Sequence, residues 1–383
     1  MDYPVIISGG GIIGCYIHLR LKKAGINSLI LEKSKEDTSR INSIRSLSLN
    51  PNTFRLLNNI DVNPETSLIN TIKVSDSDGS GKIYFSAEEV DEIALSYVVM
   101  FDALLKELQI KAHQGIQYES EITELSPLES SIDIKLNNNQ TLSSQLLIGS
   151  DGRNSPVARL SNFVSRDADY DQTAFTFLVS KTSDDTNSIA SQIFSDKGIF
   201  ALMPIKHPNK NMSSVVWSVP NNILEGFKEN EFVNKYMNTI TASIDTKLQI
   251  ESEIISFPLS KHHLDSYMSE GVVVVGDAAH SLHPLAGQGI NLGFADADIL
   301  CEEIIEAYNK GFSIGSYRVL KKYELRRKSI NEVMLRAMDG FVSLFGSSNI
   351  YIKVLRNLGL NLFNKMAFMK VFFINHASGS HKL

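Results

Sequence analysis

The sequence predicts an α/β protein: a parallel-stranded unit opening at the N-terminus, a mainly β middle, and helices at the C-terminal end. Three observations predict it. A short apolar run enters a glycine-spaced turn between Tyr3 and Gly14, two later apolar runs end in Gly and Asp near 151 and 277, and residues 165 to 265 alternate short β-branched and aromatic runs with turn-rich breaks.

The first element is the run Tyr3 to Ser8, apolar enough for a strand buried on both faces, with Gly9, Gly11 and Gly14 following as GxGxxG. Ile12 to Lys23 reads as a helix, with Ile13, Ile17 and Leu21 four apart and Ala24-Gly25 closing it. Ser28 to Leu31 is a second strand, ending in Glu32. Each part has a physical task. Gly9 permits the tight turn, Gly11 lets a pyrophosphate approach the backbone, Gly14 lets helix pack on strand, and the helix N-terminus offers free N–H groups to phosphate. Glu32 stands where a carboxylate accepts hydrogen bonds from a ribose and repels a 2′-phosphate, so the adenosine half belongs to FAD or NAD rather than NADP.

The second motif is LLIGSDGRNS, Leu146 to Ser155. The third is GDAAHSLHPLAGQGINLG, 276 to 293, which follows the strand Val272 to Val275 and leads into a helix near Asn291. Two strand-to-Asp turns so far from the first glycine turn exceed what a simple NAD dehydrogenase needs, and no second GxGxxG is present.

Together these residues resemble the class A flavoprotein monooxygenases, the aromatic-hydroxylase group typified by para-hydroxybenzoate hydroxylase, and more narrowly the ubiquinone-biosynthesis hydroxylase family. The narrower resemblance rests on the long GDAAH motif, on YDQTA (Tyr170 to Ala174), ALMPI (Ala201 to Ile205), SSVVW (Ser213 to Trp217) and SYVV (Ser96 to Val99). It continues through LRNLGL (Leu355 to Leu360) and ASG (Ala377 to Gly379).

The resemblance implies a Rossmann-like FAD-binding domain interleaved with a mainly β substrate domain, plus C-terminal helices. On that pattern 1–75, 96–164 and 266–315 build the FAD-binding domain, 76–95 and 165–265 the substrate domain, and 316–383 the helical region. It places Asp277 at the ribityl-pyrophosphate region and Pro284 beside the isoalloxazine. Gly287, Gln288, Gly289, Ile290 and Asn291 present backbone to the ring's pyrimidine edge, and Arg45 lies at the flavin phosphate. A helix starting near Gly289 to Asn291 directs positive potential at anionic reduced flavin, worth on the order of 1 kcal/mol. The implied activity is hydroxylation of a polyprenylated phenol by way of a flavin hydroperoxide, with FAD as cofactor, NADH or NADPH as transient reductant and oxygen as co-substrate. The alternatives are a hydroxylase of a small soluble aromatic, and a non-catalytic flavin-binding partner within a biosynthetic complex.

Two positions depart from the family pattern. Met100, Phe101 and Asp102 stand after the YVV segment, where a charged residue is common, and Arg159 lies eight residues after Asp151, one beyond the usual place, now Ala158. His280 and His283 are three apart beside an acid, but they read as packing and shaping the turn, and no metal is expected.

Composition sets the outer bounds. The chain has 383 residues, 43% hydrophobic and 21% charged, enough for two or three joined subdomains. Cys15 and Cys301 form neither a disulfide framework nor a zinc pattern, the N-terminus lacks a signal-peptide pattern, and no apolar run approaches the roughly 18 residues of a spanning helix. A cytoplasmic protein is expected. From Arg318 onward 12 basic residues face three acidic ones, a net +9 that leaves −15 on the rest. With Phe363, Phe368, Phe372 and Phe373 among lysines, this region fits a helical lid or a peripheral contact with the inner face of an anionic membrane. No nucleic-acid recognition motif accompanies it.

Overall fold

The computed structural model describes residues 3–36, 44–77, 81–181, 188–207, 211–244, 247–281 and 288–346, with 366, 370, 371, 374 and 378. Strand Val5–Ser8 lies at the middle of a six-stranded sheet. It pairs in parallel with Ser28–Leu31 on one side and with Leu146–Gly149 on the other. Val272–Val274 continues that second side, Ile116–Gln117 closes the first, and Met268–Ser269 adds an antiparallel edge. The first three strands are buried at every position, which is why they read as unbroken apolar runs rather than alternating ones. The chain leaves Val5–Ser8 toward one side and returns later on the other. Such a switch of direction opens a crevice at the strands' carboxyl ends, where open parallel sheets bind ligands.

Helix Ile12–Lys23 spans the predicted residues and packs on this sheet through Tyr16, Ile17 and Leu21, all fully buried. Helix Gln288–Asn309 lies beside it, starting slightly earlier than expected, and Tyr16 joins the two by a hydroxyl donated to Asp298 at 3.0 Å.

The larger sheet runs in the order His280–Ser281, Ile255–His263, Ala168–Lys181, Met212–Pro220, Gly198–Ile205, Ile189–Ser195, Thr71–Asp76 and Lys82–Ser86, with Leu248–Ile250 pairing off Ala168–Lys181. Thr71–Asp76 belongs to it, so the chain enters this sheet before the boundary expected at 76. Period-two alternation divides its faces. Phe175, Phe177, Val179, Phe200, Leu202, Val215, Trp217 and Val219 turn to one side, where helix Glu229–Thr241 covers them with Phe232 and Val233. The intervening residues face the six-stranded unit.

Helix Tyr317–Gly346 packs against helix Gln288–Asn309 and the edge strand Met268–Ser269. Several of its basic residues are paired within the chain: Lys321 with Glu324 at 2.5 Å, Lys322 with Glu303 at 3.7 Å, Arg326 with Glu302 and Glu303 at 2.9 Å, and Arg336 with Glu332 at 2.9 Å. Lys370 pairs with Glu89. Much of the positive charge in this region therefore meets acid from the same chain. The aromatic residues Phe363, Phe368, Phe372 and Phe373, with LRNLGL, lie outside the described residues. Among those described, no helix is long and apolar enough to cross a membrane.

Candidate functional site

A cavity of about 800 Å³ lies between the carboxyl ends of the parallel strands and the inner face of the larger sheet. Its two walls differ in kind, and the nucleotide side is largely backbone. Gly9 has φ +100, and a Cβ there would lie 2.7 Å from the Ser150 carbonyl oxygen. At Gly14 a Cβ would fall 2.0 Å from the Gly9 carbonyl oxygen, so helix and turn approach too closely for any side chain. Gly11 is different. Its φ of −76 suits any residue, and a Cβ would meet no protein atom within 4 Å, yet it lines the cavity. No neighbour in the fold demands glycine there, so the demand comes from what the cavity holds.

Glu32 lines the same wall and is fixed by two backbone donors, Gly10 N–H to Oε2 and Ser34 N–H to Oε1, both at 2.8 Å. A carboxylate offers about four acceptor sites, so capacity remains for a ribose. Arg45 also lines the cavity, its guanidinium 4.7 Å from the centroid of Phe101. The apolar residue after the YVV segment thus serves as a platform for Arg45. Arg159 is exposed and away from the cavity, whereas Arg153 reaches it and donates to Ser260 of the facing sheet. Arg153 was not singled out from sequence; its signal is the same turn, two residues past Asp151.

Asp277 lines the cavity, with protein packed closely around it. That enclosure pushes its carboxyl above the usual range, against the opposing pull of His280, Arg45, His262 and Arg153. Asp151 accepts from Ser8 Oγ at 2.9 Å, and burial likewise raises its carboxyl. Gly289 and Ile290 bring the N-terminus of Gln288–Asn309 to the cavity. Pro284 and Gly287 lie outside the described residues, as does His283; Gln288 begins the helix.

The Asn291 side chain, distinct from the backbone expected to face the ring, has a task of its own. It is buried, accepts from Asn50 N–H at 2.9 Å and donates to the Ser48 carbonyl at 2.9 Å, tying this helix to strand Ser46–Leu49. A helical asparagine within reach of two free backbone groups satisfies them.

Behind the Gly276-Asp277 turn sits a buried ionic cluster. Asp296 accepts from His280 Nε2 at 2.5 Å, Arg327 Nε at 2.7 Å, Asn331 Nδ2 at 3.0 Å and the Gly276 N–H at 3.2 Å. Burial alone would raise the Asp296 carboxyl; His280 and Arg327 overcome it and hold the group well below the usual range. His280 therefore anchors the turn. Among the described residues no group of three or more His, Cys, Asp and Glu is arranged to hold a metal.

The facing wall is side chain. Ile72, Thr176, Gln192, Ala201, Met203 and Val216 present a mostly apolar surface with two polar points. Sequence reading did not isolate these residues. Their signal is parity: on strand Gly198–Ile205 the bulky Phe200 and Leu202 turn to the covered face, which assigns Ala201 and Met203 to the open one.

FAD fits this arrangement on an observation independent of motif. Three cavity-lining residues, Ser46, Asp151 and Ser281, each keep a buried side-chain oxygen with no hydrogen-bond partner in the protein, a condition normally relieved by a ligand or water.

Comparison with known proteins agrees with the fold. The sequence profile described as FAD binding domain matches residues 2–338. The mitochondrial ubiquinone biosynthesis monooxygenase COQ6 of Danio rerio is 28% identical, with 96% of this chain and 88% of the relative aligned. The 3-demethoxyubiquinol 3-hydroxylase of Escherichia coli is 29% identical, over 78% of this chain and 76% of the relative. Among solved structures, p-nitrophenol 4-monooxygenase PnpA from Pseudomonas putida DLL-E4 superposes with a TM-score of 0.80 at 15% identity, covering 100% of this chain and 99% of that one. HpxO of Klebsiella pneumoniae, complexed with FAD and uric acid, gives 0.75 at 16%, covering 96% and 97%.

Proposed function

This chain belongs to the FAD binding domain family, and on that premise we propose that it hydroxylates the aromatic ring of a polyprenylated phenol in ubiquinone biosynthesis. It is an FAD-dependent monooxygenase. The observation that carries the reading is the shared cavity: one wall of bare backbone and fixed charge, one wall of apolar side chains, with room for a cofactor and a ring between them.

When bound, FAD supplies the chemistry that reduces oxygen and delivers one of its atoms to the ring. The protein's residues bind, orient and exclude water. Gly9 and Gly11 keep the turn open, so that the N–H groups of helix Ile12–Lys23 receive the pyrophosphate. Glu32 accepts from the adenosine ribose. Arg45, steadied on Phe101, neutralises phosphate charge, and Asp277 faces the sugar-alcohol chain. Gly289 and Ile290 line the cavity at the N-terminus of their helix and would direct its positive end at the bound flavin. Across the cavity Ile72, Met203 and Val216 remove water from the reacting ring, while Thr176 and Gln192 offer hydrogen bonds to a phenolic oxygen. NADH or NADPH is the reductant on this reading.

Peripheral contact with an anionic membrane would suit a substrate whose chain stays in lipid, and membership of a biosynthetic complex accords with it. Flotation on anionic against neutral vesicles tests the contact: binding to anionic vesicles supports it, and binding to neither removes it.

The function is tested by mass spectrometry of quinone intermediates in cells lacking the gene. Accumulation of one under-hydroxylated prenylphenol, relieved by the intact gene and not by a Gly11→Trp copy, is expected. Unchanged intermediates in cells with no substitute hydroxylase would favour a small soluble aromatic, and relief by an FAD-free Gly11→Trp protein would favour the non-catalytic partner.

A further inference from the structure

A second hollow, of about 60 Å³, lies between Glu65, Val98, Met100, Ala103, Ile205 and Lys206. Glu65 and Lys206 form its outer rim as an ion pair at 2.8 Å, and both are well exposed. A pair so placed in water holds weakly. The residues further in are apolar.

One apolar cluster joins this hollow to the main cavity. Its members Ile69, Ile72, Ala190 and Met203 line the cavity, while Val98, Met100 and Ile205 line the hollow. Topology sets the join, because strand Gly198–Ile205 of the larger sheet packs on strands Ser67–Ile69 and Ser96–Met100. Ala201, Met203 and Ile205 alternate onto one face of their strand, so a single row of side chains runs from cavity to hollow over about 13 Å. Met100 lines the hollow, and its partner across the strands, Ser46, lines the cavity.

Side chains separate the two spaces, but Met203 on the cavity side and Met100 on the hollow side are unbranched and only partly buried. Such side chains swing aside more readily than Leu or Ile. Met100 also stands where a charged residue is common in the family pattern, and a charge there would meet the apolar cluster at a cost. The cavity edge at Phe257 offers a poorer path for an apolar chain. Phe257 is 38% exposed, so a chain leaving past it enters water, whereas one passing Met203 stays among apolar side chains.

We propose that this cluster is the passage for the isoprenoid chain of the substrate: with the ring on the sheet wall, the chain parts Met203 and Met100 and its far end emerges between Glu65 and Lys206. This rests on the hydroxylase reading above and adds to it the place of the chain. Met100 is then a specificity-determining residue, remote from the reacting ring, and its departure from the family pattern has a task.

The test uses FAD-loaded wild-type protein without reductant. A phenol whose ortho farnesyl chain ends in a diazirine is bound and irradiated, and the labelled peptide is identified by mass spectrometry. Label within 98–103 or 203–206 is expected; label confined to 255–259, or to any other segment, would overturn the passage. A second measurement compares the Kd of a phenol bearing an ortho geranyl chain with that of the unprenylated phenol. Met100→Glu should weaken the geranylated phenol at least about tenfold relative to the unprenylated one, and Met100→Leu should leave the ratio within about twofold. An unchanged ratio in Met100→Glu would also overturn the passage. Label at the expected residues in a protein that hydroxylates no phenol, once reductant and oxygen are added, would instead overturn the function and leave the passage as a site for the chain.

Discussion

The two walls of the cavity are built on opposite principles, and they tolerate change differently. The nucleotide wall is made of backbone: Gly9, Gly11 and Gly14 define it by having no side chain, and Glu32 is pinned to it by two N–H groups. The sheet wall is made of side chains on a regular ladder, with Thr176, Ala201 and Val216 standing on strands paired through their backbone. The first wall fixes which cofactor enters, the second which ring it meets. Substitutions on the two should therefore fail in different ways.

The largest effect is expected at Gly14. A Cβ there would overlap the Gly9 carbonyl oxygen, a backbone atom with nowhere to go, so Gly14→Val should lower stability by about 3 kcal/mol or more, measured by urea unfolding without FAD. Gly11→Val should behave otherwise, because its Cβ enters open space. Stability without FAD should stay within about 1 kcal/mol of wild type, while FAD affinity falls at least tenfold by absorbance titration. Equal losses of stability at both positions would erase the distinction between packing glycine and cofactor glycine.

On the sheet wall, Ala201→Phe should leave FAD content unchanged and reduce kcat/KM for a long-chain prenylphenol about tenfold, with a smaller loss for an unprenylated phenol. A parallel loss of FAD would mean that the walls are not separable.

The smallest effect is a pH dependence. His18 and His263 are held neutral, each lowered to about 4, mainly by burial and secondarily by Lys22 and His280 respectively. A histidine that protonates more readily when unfolded contributes stability fully present above about pH 6.5 and lost as pH falls toward 4. The urea midpoint should fall over that window, and His18→Gln should flatten part of the slope.

The same contrast explains what could be read in advance. Gly9, Gly11, Gly14 and Glu32 act within about 25 residues of one another, through a strand-turn-helix whose periodicities are local, and the helix Ile12–Lys23 was legible to the residue. That Asp277 stands at the cavity was legible because a strand end and an acid recur in the right order. The side-chain task of Asn291 was not, since its partners Ser48 and Asn50 lie more than 200 positions away. The same holds for the Asp296, Arg327 and Asn331 cluster that secures His280. The substrate wall lay between these cases: alternation on Gly198–Ile205 is written in the sequence, but which face is covered depends on helix Glu229–Thr241.

The central claim is that one cavity holds FAD against backbone and an aromatic ring against the sheet, close enough for an oxygen atom to pass between them. The most direct measurement incubates FAD-loaded protein with the ortho-geranylated phenol, NADH or NADPH and ¹⁸O₂, and weighs the product by mass spectrometry. The account predicts a hydroxylated product carrying one ¹⁸O atom. A hydroxylated product with unlabelled oxygen, or reductant consumed with no hydroxylated phenol at all, would contradict it.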